Sequence, residues 1–98
     1  MIVELSDEAE RDLEAIGDTI AAGDPRRALS FILELREECL ELGDLPERYQ
    51  LVPRYESSGI RRRVHGRYLI FYRVRTGKVV VIHVLHGAMD YEPILFPD

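Results

Sequence analysis

The chain has one cysteine, Cys39, and three scattered histidines, His65, His83 and His86. A single thiol cannot close an internal disulfide, and Cys39 falls inside a helical apolar pattern, so a reducing cytoplasm is the expected setting. Histidines so dispersed do not have the ligand spacing of a structural zinc site, and no metal is expected. No apolar run approaches the roughly 18 residues that a membrane-spanning helix needs. The opening MIVELSDEAE turns acidic early and has neither the basic start nor the apolar stretch of a secretory signal. Repeats, low-complexity tracts and long linkers are also missing, so residues 1–98 are expected to form one domain.

What is present is an uneven distribution of charge. Residues 1–53 hold 14 acids and 5 bases, a balance of −9. Residues 54–78 hold 8 bases (Arg54, Arg61, Arg62, Arg63, Arg67, Arg73, Arg75, Lys78) against Glu56, a balance of +7. Residues 79–98 add −3, which gives the net charge of −5. A basic block on an acidic body either addresses an anionic partner or neutralises the protein's own acidic helices.

The periodicities divide the chain into a helical front and a stranded back. Ile2, Val3 and Leu5 form a short strand, and Ser6 with Asp7, Glu8 and Glu10 starts a helix. Ala9, Leu13, Ile16 and Ile20 make its apolar stripe. Asp24-Pro25 starts a second helix, whose face is read as Ala28, Ile32, Leu35, Cys39 and Leu42. Phe31, Leu29, Leu33 and Leu40 widen its apolar surface, and Gly43 suits a left-handed cap. Residues 44–58 read as an irregular connector. Strands are then expected at 60–65, 68–75 and 79–86, joined by glycine-bearing turns. The fold class is therefore α+β: a helical hairpin packed on a small antiparallel sheet, in the order β-α-α-β-β-β.

Two stretches carry a resemblance. GIRRRVHGRYLIFYRV (Gly59 to Val74) followed by VVVIHVLHGAMDYEPIL (Val79 to Leu95) is similar to the signature half of ParE-type toxins, a branch of the RelE/ParE toxin–antitoxin superfamily. The front half is consistent with it through Asp12, Leu13 and Ile16, and through Pro25, Ala28 and Phe31. Two departures stand out. His86-Gly87 is followed by Ala88-Met89 where the family has arginines, and the first helix has no aromatic residues.

The resemblance implies a toxin that poisons DNA gyrase without catalysis, requires no cofactor, and is neutralised by an antitoxin. That antitoxin would be ParD-like, with a ribbon-helix-helix module that contacts operator DNA and a disordered tail that folds onto the toxin. The alternatives are a RelE-type ribosome-dependent mRNA ribonuclease and a non-toxic interaction module. RNA cleavage through the 2′-OH needs a proton acceptor, a proton donor and cations on the phosphate. RelE-type enzymes place arginine directly after the first tyrosine of a Tyr-x-x-x-Tyr run. Here the run is Tyr68 to Tyr72 and the position is Leu69. Arg61 and Arg63 could stand where relatives carry lysines, but arginine is too basic for a general base near neutrality.

His83 and His86, three apart on a strand, fall on opposite faces and cannot form an acid–base pair there; His83 reads as a packed or hydrogen-bonded sheet residue, and His65 as a solvated one near a turn. The antitoxin is expected on Arg61, Arg63 and Arg73 of the sheet and on Leu29 and Leu33 of the second helix. Arg62 should point the other way and anchor against the helices. The target is expected to meet Asp90, Tyr91, Ile94, Leu95 and Phe96, although some of these apolar residues can dock back on the sheet.

Overall fold

In the computed structural model, which describes residues 1–97, β1 (Ile2–Leu5) leads through Ser6 into α1 (Asp7–Ala21). The Ser6 hydroxyl accepts from the Ala9 N–H at 3.0 Å, and the acids of the first turn meet the positive end of the helix dipole. Asp24 caps α2 (Pro25–Glu41) in the same way, its carboxylate accepting from the Arg27 N–H at 3.1 Å. α1 buries Ala9, Leu13 and Ile16, and α2 buries Ala28, Phe31, Leu35 and Cys39.

Phe31 thus takes the core place that spacing alone assigns to Ile32. The cause is Gly17 on α1. A Cβ there would stand 3.4 Å from Ile32 Cγ1, so Ile32 fills the seam between the helices and Phe31 turns to the sheet. Gly43 also differs from expectation. α2 ends on Leu42 in right-handed geometry, and Gly43 does not take a positive φ; Leu45 does, at 50°. Gly43 is needed for space, because a Cβ would lie 2.2 Å from the Met1 carbonyl oxygen. The N-terminal ammonium donates to the Gly43 carbonyl at 2.9 Å and ties β1 to the end of α2.

β2 (Arg61–His65), β3 (Tyr68–Arg75) and β4 (Lys78–His86) form the antiparallel meander, turning at Gly66 and Gly77 with φ of 59° and 70°. These positive values suit glycine, which has no Cβ to clash. β1 lies beyond β4 and parallel to it, Ile2 opposite Lys78 and Leu5 opposite Val81, so the order is β1-β4-β3-β2 and the sheet is mixed. β1 ends at Leu5, and α1 then supplies the partners that β4 loses. Ser6 N–H donates to the Val81 carbonyl at 2.9 Å and Ser6 Oγ to that of Ile82 at 2.8 Å. Asp12 Oδ2 accepts from the Val84 N–H at 2.9 Å. Ile82 is the extra residue of a bulge, skipped where the register with β3 passes from Phe71–His83 to Tyr72–Val81.

Both faces of the sheet are covered. On one, Ile70, Tyr72, Val79, Val81 and Val84 meet the helical hairpin. On the other, Val52, Ile60, Leu69, Phe71 and Leu85 form a second cluster. Tyr55 of the connector and Tyr91, Leu95 and Phe96 of the C-terminal segment close over it. That segment contains the four-residue α3 (Glu92–Leu95). This is why Leu69-Ile70-Phe71-Tyr72 is apolar throughout rather than alternating. Among the described residues, no helix is long and apolar enough to cross a membrane.

Candidate functional site

β2 is an edge strand, and its side chains divide between the two layers. Arg63 reaches the helix side and is only 12% exposed, pairing with Glu38 at 2.7 Å and Glu41 at 3.0 Å. It also donates to the Glu38 carbonyl at 3.0 Å, and His65 pairs with the same Glu38 carboxylate. His65 is therefore not simply solvated: its ring lies 5.3 Å from that of Phe31. Arg61 donates through one nitrogen to the carbonyls of Glu47 at 3.1 Å and Tyr49 at 2.7 Å.

Arg61 and Arg63, expected to meet the antitoxin, are thus both engaged within the protein itself. The edge strand lies within reach of the second half of α2 and of the connector, whose acids and carbonyls take these guanidiniums. Arg62 goes the other way, as its parity requires, but anchors the C-terminal segment and not the helices. Its guanidinium donates to the Tyr91 hydroxyl at 2.9 Å. Arg73 donates to the Ser58 carbonyl at 3.4 Å, while its Nε is buried with no hydrogen-bond partner among the described residues.

The C-terminal residues are mostly structural. Phe96 stacks on Tyr55 at 3.9 Å between ring centres, and Tyr91 packs against Phe71 at 4.9 Å. Arg54 pairs with Glu92 at 2.6 Å and helps to hold α3 down. Tyr91, Leu95 and Phe96 are therefore part of the second cluster, and only Asp90 and Ile94 of the expected target set remain exposed. Leu69 lies in that cluster at 8% exposure. A cation at this position would be desolvated among apolar side chains.

The nearest approach to catalytic geometry is Asp12 Oδ2, 2.8 Å from His83 Nδ1. A carboxylate that fixes an imidazole is the second half of a nucleophile–base–acid series. Among the described residues, however, no hydroxyl or thiol is hydrogen-bonded to His83. The bulge sets this pairing: it places His83 opposite Phe71, out of phase with Val79 and Val81, at the edge where β1 has ended. Burial pushes the Cys39 thiol up to about 12, which leaves it protonated and unreactive. The roles of Asp12 and Glu38 were not foreseen from the sequence. Their signal there is an acid flanking an apolar stripe, Asp12 beside Leu13 and Glu38 between Leu35 and Cys39.

On the outer face of α2, Leu29, Leu33 and Leu40 are 65%, 58% and 62% exposed. Spacings of four and seven put them in one line along the helix. Beside them, a groove of 440 Å³ between the helices is lined by Leu13, Gly17 and Ile32, with Glu10, Glu14, Asp18 and Arg36 around them.

This layered sheet, with its signature strands β3 and β4, can be set against known proteins. Residues 3–91 match the family model of the ParE toxin of type II toxin–antitoxin systems, parDE. The chain belongs to the ParE toxin family. Among solved structures it is similar to a chain of the chromosomal ParDE toxin–antitoxin system of P. aeruginosa, with a TM-score of 0.75 and 19% identity. That alignment covers 88% of this chain and 95% of the other. It is also similar to a chain of the RelBE2 toxin–antitoxin complex of Mycobacterium tuberculosis, with a TM-score of 0.65 and 25% identity over 90% of this chain and 92% of that one. A search of curated protein sequences gave no match. The ParE family's two-helix, four-stranded arrangement in the order β-α-α-β-β-β is the one described above.

Proposed function

We propose that this ParE-family protein acts as a toxin without catalysis, is held inactive by an antitoxin docked on the outer face of α2, and has DNA gyrase as its target. The observation that carries the antitoxin reading is the line of Leu29, Leu33 and Leu40, three leucines facing solvent on a helix whose opposite face already fills the core. A disordered tail that folds on binding gains most of its affinity from apolar anchors of this kind. Both structural relatives come from toxin–antitoxin systems, which supports a partner of that type. The proposed antitoxin is ParD-like, and operator DNA is contacted through it. Arg63, committed to Glu38 and Glu41, is left out of the proposed interface.

The non-catalytic reading is supported by Leu69 and Arg63. Leu69 stands buried where an RNA-cleaving relative carries arginine, and Arg63 is spent on the protein's own acids. Gyrase enters through family likeness. Asp90 and Ile94, exposed beside α3, are the proposed target contacts. The test is a gyrase supercoiling assay run beside a translation-dependent mRNA cleavage assay, each with and without the antitoxin. Loss of supercoiling that the antitoxin reverses supports the reading. Cleavage of mRNA on ribosomes moves the protein to the RelE branch.

A further inference from the structure

Four arginines of the surface are matched to acids. Arg27 pairs with Glu34, Arg36 with Glu10, Arg54 with Glu92 and Arg63 with Glu38. Three others, without such a pairing, gather at one place. An open cavity of 460 Å³ lies where β2 begins, β3 ends and the Glu56–Ser58 turn passes. Arg61, Arg73 and Arg75 all line it, and among the described residues none of the three forms a salt bridge. Glu47 and Glu56 line the same cavity, yet neither carboxylate forms a salt bridge with them. Arg61 and Arg73 spend one nitrogen each on neutral carbonyls, and Arg73 Nε is buried with no acceptor among the described residues. A buried guanidinium N–H without an acceptor is costly, and a bound anion would remove that cost.

We infer that this cavity binds a phosphomonoester whose organic part carries hydroxyl groups, the phosphate lying among Arg61, Arg73 and Arg75. A carboxylate has two oxygens, and a single guanidinium fork satisfies both. Three guanidiniums around one space need more acceptor oxygens, and a phosphate presents three with a charge near −2 at neutral pH. The unpaired Glu47 and Glu56 then accept from hydroxyl donors on the rest of the ligand. The volume is within the roughly 300–1,000 Å³ of small-molecule sites. The inference does not depend on the toxin reading: this cavity and the leucine line of α2 share no residue.

The experiment follows backbone amide resonances of the intact protein during titration with ribose 5-phosphate, inorganic phosphate and succinate at constant ionic strength. Ribose 5-phosphate should shift Ser58, Gly59 and Val74 saturably, with inorganic phosphate weaker and succinate at least about tenfold weaker. Arg75→Gln, at an exposed position, should raise the dissociation constant about tenfold, and Arg73→Gln by more. Arg73→Lys should recover part of the loss, and Arg11→Gln, on the exposed face of α1, should change nothing. Should Arg73→Gln fail to fold, Arg75→Gln alone decides. No saturable shift by about 20 mM ligand, or shifts that survive Arg75→Gln, would overturn the inference. So would succinate binding as tightly as the phosphate ester, which would assign the three arginines to carboxylates of a protein partner.

Discussion

Tyr91→Ala separates a C-terminal segment that serves only the target from one that holds the fold together. The Tyr91 ring lies 4.9 Å from that of Phe71, which is fully buried, and its hydroxyl accepts from Arg62 at 2.9 Å. Truncating a fully buried aromatic side chain costs about 3–5 kcal/mol. Tyr91 is half-buried, so about half of that, ~2 kcal/mol, is expected for the ring. Losing the hydrogen bond adds ~0.5–1.5 kcal/mol. The sum is ~2.5–3.5 kcal/mol. At roughly 4–8 °C per kcal/mol for a domain of this size, the melting temperature should fall by ~10–25 °C. Tyr91→Phe removes the hydroxyl alone and should cost no more than ~1.5 kcal/mol. Urea unfolding followed by circular dichroism, with thermal melts beside it, measures both variants. A Tyr91→Ala protein within about 0.5 kcal/mol of the parent would mean that the segment does not close the second cluster. By the same argument, deleting residues 91–98 is expected to destabilise the whole domain, so loss of toxicity on deletion would not identify a target contact.

Three further outcomes are expected. Leu35→Ala, at a fully buried position on α2, should cost about 2–5 kcal/mol in urea unfolding, and a neutral result would contradict the packing of α2 on the sheet. Leu29→Glu combined with Leu33→Glu should leave the melting temperature within a few degrees of the parent while weakening antitoxin binding at least about tenfold by calorimetry; unchanged affinity would move the proposed interface off α2. Cys39 has its thiol raised from 9.0 to about 12 by burial, so above pH 9 the unfolded chain loses a proton that the native chain keeps. Its contribution to stability is complete below pH 9 and is lost as pH rises towards 12, at ~1.4 kcal/mol per pH unit. Unfolding free energies measured between pH 8 and 10.5 should therefore fall less steeply in Cys39→Ala, and equal slopes would refute the linkage.

Local chemistry determined the elements of this protein. Ser6 and Asp24-Pro25 start the helices, glycines turn the hairpins, and an alternation with period two begins at Ile60, because caps, turns and strand parity act over a few residues and can be read where they stand. The family was legible for a related reason: β3 and β4 carry their signature as continuous runs. Which face each arginine serves was decided only by the tertiary structure. Parity separates Arg62 from Arg61 and Arg63, but it does not say which side the helices occupy. That depends on Glu38 and Glu41 on α2 being near β2, more than 20 positions along the chain. The parallel seating of β1 and the pairing of Asp12 with His83 likewise arise from contacts more than 70 residues apart. The C-terminal apolar residues illustrate the same limit. Tyr91, Leu95 and Phe96 have one composition whether they face a partner or their own core, and only the presence of Leu69, Phe71 and Leu85 beneath them decides between the two.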